Sequence, residues 1–215
     1  LASIGGYVEM LLDGDAGPLT ARQREYLHIV QDSARRLLQI TRDLSDLTRL
    51  EIGRLEVTLL PTDLVELVEQ VAAEHMPQLD ARAQQLSLRA PTDLPVALCD
   101  PARAAQVIGN LLSNASKYSP IGSAIVLEIK RTPEGDFLEV AVTDEGIGIA
   151  DEDQEKIFDL FFRARNAGKT SGGGIGLGLY IARALAELQG GRLWFESVLG
   201  QGSVFHVTFP VAGRA

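Results

Sequence analysis

The sequence predicts an α+β protein: a two-helix hairpin, half of a dimeric four-helix bundle, followed by an α/β sandwich of a mixed sheet with helices on one face. Two patterns support this fold class. Through roughly the first fifty residues, apolar residues recur every three or four positions, which indicates helices that pack in a bundle. Beyond that point, short β-rich runs and helical stretches follow one another without strict alternation, as in α+β sandwiches. We therefore expect two domains, at residues 1–54 and 55–215.

The hairpin is expected to break near residue 13, because the sequence G-D-A-G-P at 14–18 interrupts the helical pattern. A second helix begins at Thr20, where Gln23 stands at the right distance for a capping box, and it runs to about Gly53. Its apolar seam extends from Leu27 to Leu47. One such helix and a short partner cannot cover this seam, so we expect a homodimer through the hairpin.

The composition argues against two classes of partner. The net charge of -9 at pH 7 and the isoelectric point near 4.9 disfavour binding to nucleic acid or to an anionic membrane surface. No apolar run reaches about 18 residues, so no membrane contact is expected within the chain, and a membrane anchor elsewhere in a longer parent protein is compatible with this. The single Cys99 excludes an internal disulfide and fits a reducing, cytoplasmic compartment.

After the hairpin, the pattern predicts three helices and seven strands. The helices are expected at about 62–84, 101–117 and 175–189. The expected strands are 55–59, 86–89, 95–99, 124–130, 137–143, 192–196 and 203–209.

The helix predicted at 101–117 carries a polar face. Asn110, Asn114 and Lys117 are spaced i, i+4 and i+7, and Tyr118 follows directly. Amide oxygens can bind Mg²⁺ without adding negative charge beside a triphosphate, and a lysine there would offset phosphate charge. The alternative is an ordinary solvent-facing side of a helix, and the spacing alone does not separate the two.

A second motif, D-E-G-I-G-I at 144–149, ends a predicted strand. The carboxylate of Asp144 can accept a hydrogen bond from the exocyclic amine of adenine, while Gly146 and Gly148 allow the backbone to lie flat against the base. A plain turn after a strand is the alternative, and the repeat G-I-G-I makes it less favoured.

A third motif, G-G-G-I-G-L-G-L at 172–179, opens the last predicted helix. Free backbone N–H groups at a helix N-terminus, beside glycines that admit close approach, form an anion site. A P-loop is excluded because Arg163 stands where that motif needs glycine before G-K-T at 168–170. A Rossmann fingerprint is excluded because the spacing is wrong and no strand leads into G-I-G-L-G.

The residues between the two glycine motifs, 151–171, join apolar anchors to a polar, glycine-bearing stretch, which is typical of a lid over a nucleotide. Arg163 and Lys169 are placed to reach phosphates, whereas Arg165 is interpreted as a solvated charge. Together the three motifs predict a pocket for a magnesium-bound nucleoside triphosphate.

In this order the motifs resemble those of the sensor histidine kinases of two-component systems, whose ATP-binding domain has the fold of type II topoisomerases, Hsp90 chaperones and MutL repair proteins. The stretch I-F-D-L-F-F-R and the ending G-G-R-L-W-F-E-S-V-L-G-Q-G-S-V-F-H-V-T-F-P also resemble that family, although Leu160 departs from its usual basic residue or proline. The resemblance implies that Asn114 is the Mg²⁺ ligand, that Asn110 assists, and that Asp144 reads adenine. The ATP-binding residues that it implies are Asn110, Asn114, Lys117, Tyr118, Asp144, Gly146, Gly148, Ile149, Phe158, Arg163, Lys169, Gly174, Gly176, Leu177 and Gly178.

The resemblance also implies an activity, that of an ATP-dependent protein-histidine kinase. The γ-phosphoryl of Mg-ATP would pass to a histidine on the dimerisation helix and then to an aspartate of a response-regulator receiver domain. The start L-A-S-I-G-G-Y resembles the stretch directly after the family's H-E-L-R-T-P box, so the phosphoacceptor histidine is expected six residues before Leu1, and no catalytic residue within the chain. His28 is out of register with the expected phosphoacceptor site and is interpreted as a surface or seam histidine. His75 and His206 are interpreted as structural, since no acid or ligand pattern supports them.

Two other functions are compatible with the same motifs. A nucleotide-gated dimeric interaction module would bind ATP without transferring phosphate. An ATP-hydrolysing clamp, as in chaperones and repair ATPases, would need a catalytic glutamate in the asparagine helix, and positions 106–113 contain no acidic residue.

Overall fold

The structure is a computed structural model that describes residues 2–164 and 175–213. The chain forms two compact units, one up to Leu55 and one from Glu56 onward. The first unit is helical and the second is built on a mixed sheet. The predicted α+β fold class is confirmed.

The first unit is a helical hairpin of α1 (Ala2–Asp13) and α2 (Ala21–Glu51). The predicted capping box is present: the Thr20 hydroxyl accepts a hydrogen bond from the backbone N–H of Gln23 at 3.3 Å, and the Gln23 side chain accepts one from the backbone N–H of Thr20 at 2.9 Å. Along both helices, large apolar side chains remain exposed in the single chain: Ile4, Tyr7, Met10, Tyr26, Ile29, Val30, Leu37 and Leu44.

The second unit contains the remaining described helices and strands. In chain order they are β1 (Leu60–Thr62), α3 (Leu64–Asp80), β2 (Gln85–Arg89), β3 (Ala97–Cys99), α4 (Pro101–Tyr118), β4 (Ala124–Arg131), β5 (Phe137–Asp144), α5 (Asp151–Gln154), α6 (Gly178–Leu188), β6 (Leu193–Val198) and β7 (Gly202–Pro210). β1 pairs with β3, and the other strands form a five-stranded sheet in the order β2-β4-β5-β7-β6. Only the β2–β4 pair in that sheet is parallel, so the sheet is mixed.

The core of this unit lies between one face of the sheet and the helices α3, α4 and α6. Burial alternates along the middle of β4, where Ile125, Leu127 and Ile129 are buried and the residues between them are partly exposed. The apolar side of α4 is also buried, because Val107, Ile108, Leu111, Leu112 and Ala115 point into the core. This burial fixes the rotation of α4 and leaves its asparagine face partly exposed.

The opposite face of the sheet carries a polar cluster. One carboxylate oxygen of Glu139 on β5 lies 2.8 Å from Nδ1 of His206 on β7 and 3.0 Å from Nζ of Lys130 on β4. The Trp194 ring stacks on the His206 ring at 5.0 Å between centroids. The expectation that no acid supports His206 is therefore wrong, because the partner comes from the neighbouring strand, 67 residues away in sequence.

Several element boundaries differ from the prediction. The strand expected at 55–59 forms instead at 60–62, where it pairs with β3. The backbone N–H of Thr58 donates to the Asp100 carboxylate at 2.9 Å, so this segment bonds to the cap of α4 rather than to a strand. The helix expected at 62–84 is shorter because Asp63 caps its start and Ala83 adopts a positive φ of 49°. The helix α5 was missed because four residues show no periodicity.

Candidate functional site

The polar face of α4 is positioned by the caps at both ends of that helix. At the N-terminus the Asp100 side chain accepts hydrogen bonds from the backbone N–H groups of Ala102 and Arg103, at 3.1 and 3.2 Å. At the C-terminus the backbone carbonyl of Ser116 accepts a hydrogen bond from the Gln84 side chain at 3.0 Å. Gln84 is buried, so the end of α4 that carries the asparagine motif is anchored to the turn before β2.

Asn110 connects the first motif to the third. Its side-chain amide donates a hydrogen bond to the backbone carbonyl of Gly178, the first residue of α6, at 3.2 Å. Asn114, one turn further along α4, is half-buried, and its side-chain amide has no hydrogen-bond partner in the described parts of the chain. Lys117 donates to the hydroxyl of Tyr118 at 3.0 Å, and its ammonium lies 4.6 Å from the centre of that ring.

The C-terminus of α4 also contacts the second motif. The backbone N–H of Ile147 donates to the carbonyl of Tyr118 at 3.3 Å. The asparagine helix is therefore the common neighbour of both glycine motifs.

Asp144, the last residue of β5 and the first of the second motif, has a buried carboxylate and is only 7% exposed. One of its oxygens accepts a hydrogen bond from the backbone N–H of Gly146 at 2.7 Å. Burial raises the pKa of Asp144 to about 6, although hydrogen bonds from the backbone N–H groups of Gly146 and Ser203 oppose the shift. At neutral pH the group is an ionised acceptor in a desolvated environment, where a hydrogen bond to it is strong.

The glycines of this motif have no room for a side chain. A Cβ at Gly146 would lie 2.5 Å from a carboxylate oxygen of Asp144 and 3.0 Å from the carbonyl oxygen of Tyr118. Gly148 has a φ of 64°, and a Cβ there would overlap the carbonyl of Val198. The glycine backbone is thus packed closely between the end of α4 and the β6–β7 hairpin.

The segment after the second motif begins with α5 and continues through three phenylalanines, Phe158, Phe161 and Phe162. The Phe158 ring packs edge-on against Phe195 at 5.8 Å between centroids, with the Arg183 guanidinium 5.3 Å from its centre. Phe161 is exposed, has a φ of 62°, and donates its backbone N–H to the carbonyl of Gly176 at 3.1 Å.

The remaining residues expected at the site divide into two groups. Leu177 is buried at 1% exposure just before α6, and Arg163 is exposed. Lys169 and Gly174 lie outside the described residues, as does Arg165, so the expectations for them are not addressed by the structure.

Two polar residues at this site were missed by the sequence analysis. Ser197, on β6, accepts a hydrogen bond from the backbone N–H of Ile149 at 2.9 Å. Gln154, on α5, donates its side-chain amide to the carbonyl of Ile149 at 3.2 Å. Both belong to elements whose polar residues look like ordinary surface positions, so no sequence signal marked them.

A metal ion bound here would take ligands from water and phosphate as well as from protein side chains. Among residues 2–164 and 175–213, no three or more histidine, cysteine, aspartate or glutamate side chains form a group able to hold a metal ion. The half-buried amides of Asn110 and Asn114 fit a Mg²⁺ ion that takes most of its oxygens from phosphate and water.

The helices among residues 2–164 and 175–213 are all too short or too polar to span a membrane.

Comparison with known families gives two matches along the chain. Residues 99–213 match the family described as histidine kinase-, DNA gyrase B-, and HSP90-like ATPases. Residues 1–53 match the His Kinase A (phospho-acceptor) domain.

Two relatives align with nearly the whole chain. The circadian input-output histidine kinase CikA of Synechococcus elongatus is 35% identical over 98% of this chain and 28% of its own length. The adaptive-response sensory kinase SasA of a Synechococcus species is 36% identical over 95% of this chain and 54% of its own length. The chain therefore spans about a quarter to a half of these relatives.

Solved structures share the fold. Full-length ShkA in complex with AMPPNP superimposes with a TM-score of 0.75 at 27% identity, covering 99% of this chain and 44% of ShkA. The nucleotide-free catalytic domain of the histidine kinase ThkA superimposes with a TM-score of 0.60 at 26% identity, covering 73% of this chain and 97% of that domain.

Proposed function

The chain belongs to the histidine kinase-, DNA gyrase B-, and HSP90-like ATPases, with a His Kinase A region ahead of the ATPase domain, and on this premise we propose that it is the catalytic core of a two-component sensor histidine kinase. Residues 1–54 would form the dimerisation hairpin and residues 55–215 the domain that binds Mg-ATP. The parent protein would transfer the γ-phosphoryl of ATP to a histidine and then to an aspartate of a response-regulator receiver domain.

The observation that carries this proposal is the buried, ionisable Asp144 beside glycines that admit no side chain. An adenine base offers an exocyclic amine as a donor, and a carboxylate that is already desolvated gains a strong hydrogen bond to it at little further cost. Gly146 and Gly148 let the backbone after Asp144 pack directly against Tyr118 and Val198, which holds it beside the carboxylate.

The phosphates would be held where α4 and α6 meet. The first turn of α6 has no side-chain cap at Leu177, and backbone N–H groups at a helix N-terminus suit an anion. Asn110 lies at that turn through its bond to Gly178, and Asn114 presents an amide one turn away. We assign Asn114 as the protein ligand of Mg²⁺ with Asn110 assisting; bound Mg²⁺ would neutralise phosphate charge.

The remaining predicted site residues have supporting roles in this proposal. Lys117 and Tyr118 extend the asparagine face towards the phosphates, and Ile149 ends the glycine motif. Phe158 anchors the chain just before residues 165–174. Lys169 and Gly174 belong to residues 165–174, and Arg163 and Gly176 flank them. Catalysis by such a site consists mainly of orienting the reactants and offsetting charge.

The dimer is proposed from the exposed apolar residues of the hairpin. Eight large apolar side chains are exposed along α1 and α2. Packing the same faces of two chains together would bury them in a four-helix bundle.

Calorimetric titration of the chain with ATP tests the nucleotide site. We expect saturable binding with one site per chain, strengthened by Mg²⁺ relative to EDTA. Asn114→Ala should remove the Mg²⁺ dependence while leaving the thermal unfolding temperature close to that of the unaltered chain. Absence of ATP binding, or binding to Asn114→Ala that still strengthens with Mg²⁺, would count against the assignment.

Transfer is tested separately in the full-length protein. Label from γ-labelled ATP on a histidine, followed by its appearance on a receiver domain, would support the kinase. Tight ATP binding without any labelled histidine would favour the nucleotide-gated interaction module instead.

A further inference from the structure

Both polar groups of the Ile149 peptide are held by side chains from outside the glycine motif. Its N–H donates to the hydroxyl of Ser197 on β6 at 2.9 Å, and its carbonyl accepts from the Gln154 amide on α5 at 3.2 Å. The same Gln154 amide lies 3.3 Å from the carbonyl oxygen of Ser197. The three residues form a closed hydrogen-bonded ring at the point where the glycine motif leaves the site.

The hydroxyl of Ser197 is saturated by this arrangement. A serine hydroxyl has one proton to donate and two lone pairs to accept with. Ser197 donates to the carbonyl of Gly202 at 2.9 Å, accepts from Ile149, and lies 2.9 Å from the hydroxyl of Ser203. The backbone N–H of Ser203 in turn bonds to the Asp144 carboxylate. Ser197 therefore connects the exit of the glycine motif to the strand residue that supports its entry.

Backbone contacts hold Ile147, in the middle of this motif. Ile147 bonds through its N–H to the carbonyl of Tyr118, and through its carbonyl to the N–H of Gly200 at 2.8 Å. At Ile149 this role passes to side chains. The exit of the motif can therefore be altered by substitution without changing any backbone atom of the motif itself.

We infer that Ser197 is a positioning residue of the nucleotide site, with Gln154 as its second arm. Loss of the hydroxyl frees the N–H of Ile149 and removes the bond to Gly202, so the motif can move away from the geometry in which Asp144 and Gly146 face the base. This inference rests on the proposed function, since it concerns affinity for the nucleotide placed there.

The test compares Ser197→Ala, Ser197→Thr and the control Ser87→Ala in the whole chain. Ser87 is an exposed serine on the edge strand β2 whose hydroxyl has no hydrogen-bond partner in the described residues, so it matches the chemistry of the change away from the site. Loss of a hydrogen bond of ordinary strength predicts that Ser197→Ala binds ATP about five- to tenfold more weakly. Ser197→Thr, which keeps the hydroxyl, should bind within about twofold of the unaltered chain, as should Ser87→Ala.

Amide hydrogen exchange supplies a readout that overall stability does not mimic. In Ser197→Ala the amide of Ile149 should exchange at least about tenfold faster, while the amide of Val140 in the central strand β5 stays protected. If Ser197→Ala does not fold, Gln154→Ala tests the other arm, where loss of the bond to the Ile149 carbonyl should weaken ATP binding.

The outcomes separate the two claims. If the unaltered chain does not bind ATP, the proposed function fails. If the unaltered chain binds ATP and the variant with a freed Ile149 amide binds it equally well, the proposed function survives and Ser197 has no positioning role. The positioning role is likewise rejected if Ser197→Thr binds ATP as weakly as Ser197→Ala while folding normally.

Discussion

The side-chain amide of Asn110 donates a hydrogen bond to the backbone carbonyl of Gly178 across 68 positions of sequence, at 3.2 Å. This bond joins the middle of α4 to the first residue of α6. It sets the position of the asparagine face of α4 relative to the N-terminus of α6. We assigned the first of these features to the metal and the second to the phosphates.

Replacing Asn110 by alanine should therefore weaken ATP binding more than it weakens the fold. The lost bond is partly buried and between neutral groups, which predicts a loss of about 1 kcal/mol in the free energy of unfolding. ATP affinity should fall further, because the metal assignment loses an amide as well. Denaturant unfolding and calorimetry measure the two quantities. Gln70→Ala, which removes a side-chain amide hydrogen bond on the exposed side of α3, is the control, and equal effects of the two changes on ATP affinity would reject a specific role for Asn110.

Asp144→Asn should stabilise the chain at alkaline pH and weaken ATP binding. The folded-state pKa of about 6 lies above the ordinary aspartate value of 3.8, so ionisation of Asp144 opposes folding. The stabilising effect of its protonation is fully present below pH 3.8 and is lost as the pH rises through about 6. At pH 8 the neutral asparagine should raise the free energy of unfolding by up to about 3 kcal/mol, at about 1.36 kcal/mol per unit of pKa. The difference should shrink towards zero near pH 4.

Denaturant unfolding of both proteins at pH 5 and pH 8 checks this prediction. A stability difference that does not change between the two pH values would contradict the raised pKa of Asp144. A variant with higher stability and unchanged affinity for ATP would contradict its role in reading adenine.

Gly148→Ala should destabilise the chain more than Gly122→Ala. Both glycines have a positive φ, of 64° and 80°, so alanine costs roughly 1–2 kcal/mol at either from backbone strain alone. A Cβ at Gly122 meets open space, whereas one at Gly148 overlaps the carbonyl of Val198. The excess loss of unfolding free energy at Gly148 measures how tightly the β6–β7 hairpin holds the glycine motif. Equal losses of unfolding free energy in the two variants would mean that the β6–β7 hairpin moves to accommodate the added methyl group.

Leu37→Glu should dissociate the proposed dimer. Leu37 is 48% exposed on α2 in the single chain, so a charge there is tolerated by the monomer but not in an apolar seam. His28→Glu adds a negative charge at an exposed position on the side of α2 opposite Leu37 and serves as the control. Sedimentation velocity at micromolar concentration should show a monomer for the first variant and a dimer for the second. A monomeric unaltered chain would remove the basis of the dimer proposal.

The parts of the fold that the sequence predicted well are those in which one element determines its own pattern. The apolar side of α4 required residues such as Val107 and Leu111 to be buried, and this set the orientation of Asn110 and Asn114. The capping box at Thr20 and the end of β5 at Asp144 are likewise encoded within a few residues.

The parts that were missed depend on contacts between distant segments. The bond between Ile149 and Ser197 joins residues 48 positions apart, and that between His206 and Glu139 joins residues 67 apart. The strand β1 lies at 60–62 because Ala97–Cys99 is available to pair with it there, which local composition does not reveal.

The backbone N–H of Phe161 donates a hydrogen bond to the carbonyl of Gly176, so the chain between these two residues forms a closed ring. Both residues have a positive φ, of 62° and 78°. Whatever length or composition the chain has inside that ring, its two ends return to the same place on the domain. Insertions or deletions between Phe161 and Gly176 would consequently leave the register of β5 and the start of α6 unchanged. The sequence between Phe161 and Gly176 can therefore vary, in evolution or by design, while the five-stranded sheet is retained.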